Sequence, residues 1–158
     1  MIFWSVLGVL VVIAIALIAR NLLEEKDIKK AITLRDGKTL LVPIYSNYTD
    51  LIYKGEKEWE FRKTFPKKPV KRMLFYETSP VKAITGEAKI EVVVEDDKYI
   101  LWRKTKFNAG ITGEDYFTYF LNNKTGVAFK LCKVKKYDKP ILLSEIGISS
   151  APQSYRYL

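Results

Sequence analysis

Histidine is absent from the 158 residues. That excludes Ser-His-Asp and Cys-His activation of a nucleophile. It also excludes HExxH zinc hydrolysis and the histidine-bearing zinc deaminase site. Chemistry in this chain falls to Lys, Tyr, Ser/Thr, carboxylates or an oxygen-ligated metal. Cysteine occurs once, as Cys132, so neither an intramolecular disulfide nor a cysteine metal cluster is available. With Leu131 and Val134 beside it, Cys132 reads as a small buried residue. No glycine-rich phosphate loop is present, which speaks against nucleotide hydrolysis. No metal and no cofactor are expected. Residues 31–158 show no repeat and no low-complexity tract, and an apolar content of 48% is too high for a disordered chain.

Positive charge is in excess. The net charge is +9; residues 1–30 hold four bases and three acids, so residues 31–158 carry the remaining +8. The excess belongs to the folded part. A basic domain attracts polyanions or anionic lipid. The plain alternative is a soluble surface with a few unrelated lysines.

Ile2 to Ala19 contains no charge and a single polar side chain, Ser5. These 18 residues nearly cross a hydrocarbon core of about 30 Å. Trp4 stands near one end, where an indole prefers the headgroup level, and Arg20 marks the other. No base precedes the segment, whereas Arg20, Lys26, Lys29, Lys30 and Arg35 follow it. The positive-inside rule therefore predicts a single-pass membrane protein with a cytoplasmic C-terminal domain. A signal peptide is a competing reading, with Ala14-Ile15-Ala16 as a small-residue cleavage site but no basic n-region. A core helix of a soluble protein is another, although it would show a polar stripe. The expected organisation is a transmembrane anchor over 1–20, a linker with a small hairpin over 21–38, and one domain over 39–158. Arg20 to Lys30 reads as a polar continuation of the helix into the linker.

The rest is rich in short β-branched and aromatic runs. Leu40–Ile44, Glu58–Thr64, Val70–Glu77, Ala83–Val94 and Gly126–Tyr137 are predicted strands. Asp36-Gly37 is a turn signal. Asn47, with Asp50 three residues on, predicts a capped helix over 47–54 ended by Gly55. Thr112 with Asp115 predicts another, and Asp97 to Lys104 a shorter one. The fold class is α+β, with mostly antiparallel strands that close into a small barrel.

Helix, Gly55, then Lys57-x-x-Glu60-x-Arg62 gives the pattern G-x-K-x-x-E-x-R. It resembles the signature of the ASCH domain, a branch of the PUA-like β-barrel superfamily. Phe75 to Lys82 followed by Ile84-x-Gly86 resembles that family's strand, turn and returning strand. Leu101-Trp102-x-Lys104-Thr105 with Gly110-Ile111 resembles its helical insert, and Ala151 to Leu158 its closing Pro-Gln-Ser-aromatic strand. The resemblance covers residues 40–158. It implies a PUA-like/ASCH β-barrel with inserted helices, preceded by the transmembrane helix, and a cleft beside the helix-to-strand turn. It further implies binding of RNA, a nucleotide or a modified base. One branch of the family hydrolyses acylated cytidine with the motif lysine and a threonine three residues later; here that position is Glu60, so the hydroxyl is missing.

Strand alternation puts Glu58, Glu60 and Arg62 on one face and Trp59 and Phe61 on the other. The bland reading of the polar face is a solvated ion pair contributing about 0–1 kcal/mol. The functional reading has Lys57 at the mouth of the turn and Arg62 deeper, offering a phosphate or base edge a point charge and a planar fork. Glu60 would orient Arg62 or accept from a base amine. Lys63 opens a basic loop with Lys67, Lys68, Lys71 and Arg72, suited to a nucleic-acid backbone, to anionic lipid or to solvent. Trp102, Phe107, Tyr116 and Tyr119 are stacking candidates, though helical spacing makes most of them core. Ser79 and Ser154 join the candidate ligand contacts through the family motifs. Should the domain be a hydrolase acting on a modified nucleoside, a Lys57–Glu60 pair would move the protons. A basic module for lipid or a partner protein is the remaining alternative.

Overall fold

The computed structural model describes residues 2–33 and 35–158, the side chains of 2–5 and 33 excepted; the expected interfacial placing of Trp4 thus lies outside the described residues. The chain divides into two compact units, residues 1–34 and 35–158. The first is a single helix, α1 (Ile2–Thr33). Within it, residues 6–32 have the length and apolarity to cross a membrane. Val12 and Leu23 are 66% and 63% exposed. The polar continuation is helical as expected, and Lys29 Nζ donates to Glu25 Oε1 at 2.6 Å one turn back.

The second unit is built on six strands: β1 (Thr39–Ile44), β2 (Trp59–Arg62), β3 (Arg72–Glu77), β4 (Ala83–Asp97), β5 (Thr125–Ile141) and β6 (Arg156–Tyr157). They form one sheet in the order β2-β5-β4-β3-β1-β6. β1 and β3 run parallel, with Val42 opposite Phe75; the other pairings are antiparallel. The Asp36-Gly37 turn exists, with Lys38 N donating to Asp36 Oδ1 at 2.8 Å. Among the described residues it forms no hairpin, because residues 2–33 before it are helical and β1 pairs with β3 and β6 instead.

The strands form one sheet whose ladder stays open among the described residues, where a closed barrel is expected. The β4–β5 ladder shifts register between Ile84 and Gly86, Glu87 and Lys89, and Ile90 and Val92. Bulges of this kind bend strands and increase twist. The sheet coils until its two edges approach, yet β6 has only two residues and offers β2 no ladder. Side chains bridge the gap instead. Arg62 Nη2 on β2 donates to Pro43 O on β1 at 2.7 Å. Tyr155 OH donates to Phe65 O at 3.2 Å, and Lys68 N donates to Tyr157 OH at 3.3 Å.

Two hydrophobic clusters result. Inside the coil, Leu40, Val42 and Ile44 of β1 meet Met73, Phe75, Phe129, Leu131 and Ile52. Outside β2 and β5, Phe61 and Ala128 pack with Leu101, Tyr116 and Phe120. The latter come from a helical layer, α3 (Lys98–Thr105) and α4 (Gly113–Tyr119). α4 starts at the predicted cap, with Thr112 Oγ1 accepting from Asp115 N, and α3 is capped by Asp97, the first residue of its predicted span, which accepts from Tyr99 N. The third helix of this unit, α2 (Ser46–Tyr53), starts one residue before Asn47 and has no side-chain cap. Tyr45 is still extended as it leaves β1, and its carbonyl takes the Tyr48 and Thr49 amides at 2.9 and 3.2 Å. The capping box predicted on Asn47 and Asp50 is therefore not used. Cys132 is half-buried, not buried. Leu131 takes the inward position on β5, and alternation turns Cys132 to the other face.

Candidate functional site

α2 ends in a motif that aims the following residues inward. Gly55 adopts φ 76°, a left-handed conformation costly for any residue with a Cβ. Its N–H donates to Ile52 O at 3.0 Å, and Glu56 N donates to Leu51 O at 2.9 Å. These are the paired bonds of a Schellman motif. Lys57 N also donates to Leu51 O, at 3.1 Å, so the chain folds back over the helix end.

Lys57 is consequently 3% exposed. The expectation that it stands at the mouth is corrected: it is buried at least as deeply as Arg62, at 9%. Lys57 Nζ donates to Ala109 O at 2.8 Å and lies 3.7 Å from Glu60 Oε2. It also sits 5.0 Å from the Phe61 ring centre and 5.4 Å from that of Tyr48, within cation–π range. Gly110, at φ 60°, packs directly on the Lys57 stem, and a Cβ there would collide with it. Burial pushes the Lys57 ammonium below the usual lysine range; Glu60 opposes that shift and Arg62 adds to it.

Glu60 and Arg62 share the face of β2 whose cross-strand neighbours, Phe129 and Val127, belong to the inner core. Hence the pair is buried, not solvated. Arg62 Nη2 donates to Glu60 Oε1 at 2.8 Å as well as to Pro43 O. The buried Arg62 Nε has no hydrogen-bond partner among the described residues. Glu58 departs from the predicted grouping, because Asn108 Nδ2 holds it at 3.0 Å.

These side chains border a cleft of about 320 Å³. One wall is the β1–α2 corner, with Pro43, Ile44, Tyr45 and Tyr48; β2 with Lys57 forms the second. The third is Ile111 and the α4 residues Asp115, Thr118 and Tyr119. Burial raises the Tyr48 phenol above its ordinary range, with Asp115 and Glu60 adding to the effect. Burial also raises Tyr119, partly offset by Arg62. Both hydroxyls stay neutral donors near neutral pH. Asp115 is exposed at the rim and accepts from Thr112 Oγ1 at 2.8 Å. A mostly apolar, aromatic hollow with a few converging polar groups suits a flat ligand carrying charge or hydrogen-bonding edges.

The structure brings Lys57, Glu60 and Arg62 together. Lys63 is exposed, its Nζ 4.8 Å over the ring of Tyr119, and so stands at the rim. Three other expected residues lie apart from the cleft lining. Ser79 is exposed between β3 and β4, and Ser154 is exposed near the C-terminus. Trp102 packs in the helical layer, 4.7 Å from Tyr116. Of the aromatic candidates, Tyr119 lines the cleft, Tyr116 is wholly buried, and Phe107 is 77% exposed. Tyr48 falls within the predicted 47–54 helix and was not among the candidate contacts. Pro43, Tyr45 and Thr118 carried no local signal that set them apart, and Asp115 was singled out only as part of a helix-start signal.

Residues 37–151 match a family described as a domain of unknown function, DUF365. An ASCH domain-containing ribonuclease of Zymomonas mobilis subsp. mobilis is 29% identical over 128 residues, 78% of this chain and 86% of that protein. ATP synthase subunit alpha of Ureaplasma parvum serovar 3 is 30% identical over 129 residues, 81% of this chain. The chain spans only 16% of that relative's length. The crystal structure of ASCH from Zymomonas mobilis superposes with a TM-score of 0.70 at 29% identity, covering 78% of this chain and 89% of that one.

Proposed function

The chain belongs to the DUF365 family on an α+β fold that matches the ASCH domain, and from that premise we propose that its cleft binds RNA or a nucleotide. One observation carries the reading: the unpartnered Arg62 Nε, beside Lys57 and Glu60, in a hollow walled by Tyr45, Tyr48 and Tyr119. Two buried cations face one buried carboxylate, so an anionic or acceptor-bearing ligand improves the balance there. Arg62 Nε offers a donor, and Glu60 an acceptor for an exocyclic amine. The tyrosine walls give a base a surface to stack on. RNA is the polymer of choice because one relative is named a ribonuclease.

The test is fluorescence anisotropy with labelled single-stranded RNA, comparing the wild-type chain with Lys57→Met, which keeps the stem and removes the charge. The variant should bind at least about tenfold more weakly, with a salt slope shallower by about 0.7. Equal affinity and slope would refute the site.

A second reading is hydrolysis. Burial lowers the Lys57 pKa, and Glu60 Oε2 lies 3.7 Å away, an ion-pair distance that a proton transfer would have to shorten. RNA or modified-nucleoside turnover lost in Lys57→Met favours it; intact substrate at saturating protein removes it. The α1 helix is read as a single-pass membrane anchor with the basic domain on the cytoplasmic side, in reach of anionic lipid.

A further inference from the structure

We propose that a single RNA strand leaves the cleft over the loop between β2 and β3, residues 63–71, whose lysines hold its phosphates. The inference rests on the cleft reading and extends it from one nucleotide to a strand. This loop carries Lys63, Lys67, Lys68 and Lys71, all exposed, and no acid. It begins at the cleft: Arg62 lines it, and Lys63 lies over Tyr119 of its wall.

The loop is also held in shape. Tyr155 OH donates to Thr64 O and Phe65 O at 3.5 and 3.2 Å, and Tyr157 OH accepts from Lys68 N at 3.3 Å. Lys68 Nζ rests 5.8 Å from the Tyr157 ring centre, and the two tyrosines meet edge to face at 5.9 Å. A loop fixed before binding loses less freedom when a strand docks. Phe65, between the lysines, is 42% exposed and gives a base a stacking face. Cations in a row with an aromatic among them form a sequence-tolerant track for a single strand.

The experiment uses the full chain in nonionic detergent. It compares ribonucleoside 5′-monophosphates, read by calorimetry, with a single-stranded RNA of about ten nucleotides, read by anisotropy. The variant Lys67→Gln/Lys68→Gln/Lys71→Gln alters exposed side chains alone. It should bind monophosphates within about twofold of wild type, lose at least about tenfold for the RNA, and show a salt slope shallower by about two. Tyr155→Phe keeps the lysines but frees the loop, and should weaken RNA binding with the slope unchanged. A triple variant with wild-type RNA affinity and slope would overturn the path while monophosphate binding upheld the cleft. Conversely, loop-dependent RNA binding without any monophosphate binding would uphold the loop and remove the cleft. Loop-dependent pelleting with phosphatidylserine vesicles, together with loop-independent RNA binding, would reassign the lysines to lipid and overturn the path.

Discussion

At the scale of the residue, the proposed binding rests on three side chains on one short segment. Arg62 joins the edges of the sheet and holds Glu60 through the same nitrogen. Replacing it with Met strips both acceptors of that partner inside the protein. Arg62→Met should therefore lose about 3–5 kcal/mol of stability, measured by urea unfolding. Lys57 makes a prediction of opposite flavour. Its proton is held less tightly in the folded chain than at the ordinary lysine value of 10.5, chiefly through burial. At low pH both states hold the proton, and burying the charge costs its full amount. As pH rises through the lowered folded pKa toward the ordinary value, the folded chain releases the proton first and the cost fades. The stability of wild type relative to Lys57→Met should thus rise as pH climbs through the lowered folded pKa toward the ordinary value. A flat difference would show that Lys57 does not titrate there. The motif spacing showed that Lys57, Glu60 and Arg62 belong together, but not that they are buried. Burial is decided by which way the sheet coils, and no residue within the motif encodes that.

At the scale of the element, a helix end and a glycine place the lysine. The turn at Gly55 was legible because a left-handed terminator after an apolar stripe is a local signal. The strands were legible as short β-branched and aromatic runs, the start of α4 could be read from Thr112, and α3 fell on its predicted span. The start of α2 misled, since Asn47 and Asp50 copy a capping box while Tyr45, a residue with no capping group, does the work by its backbone. Gly110 lay within the family-like insert, yet its contact with Lys57 is long-range and invisible in the sequence. Gly110→Ala should cost about 2–4 kcal/mol, combining positive-φ strain and overpacking, and should weaken RNA binding by displacing Lys57. Thermal denaturation paired with anisotropy separates the two effects.

At the scale of the whole molecule, the chain joins a basic α+β body to a long apolar helix. If that helix anchors the protein, the full chain should stay with membranes through alkaline carbonate washing, whereas deletion of residues 1–20 should release it. A signal peptide would instead leave a shortened, soluble product. The proposed binding lies in the cleft. The most direct measurement is a crystal structure of the chain with a ribonucleoside monophosphate bound. It should show the ligand against Tyr48 and Tyr119, with Arg62 Nε donating to it and Lys57 within ionic reach. A ligand seated elsewhere, with the cleft still filled by solvent at saturating concentration, would contradict the account.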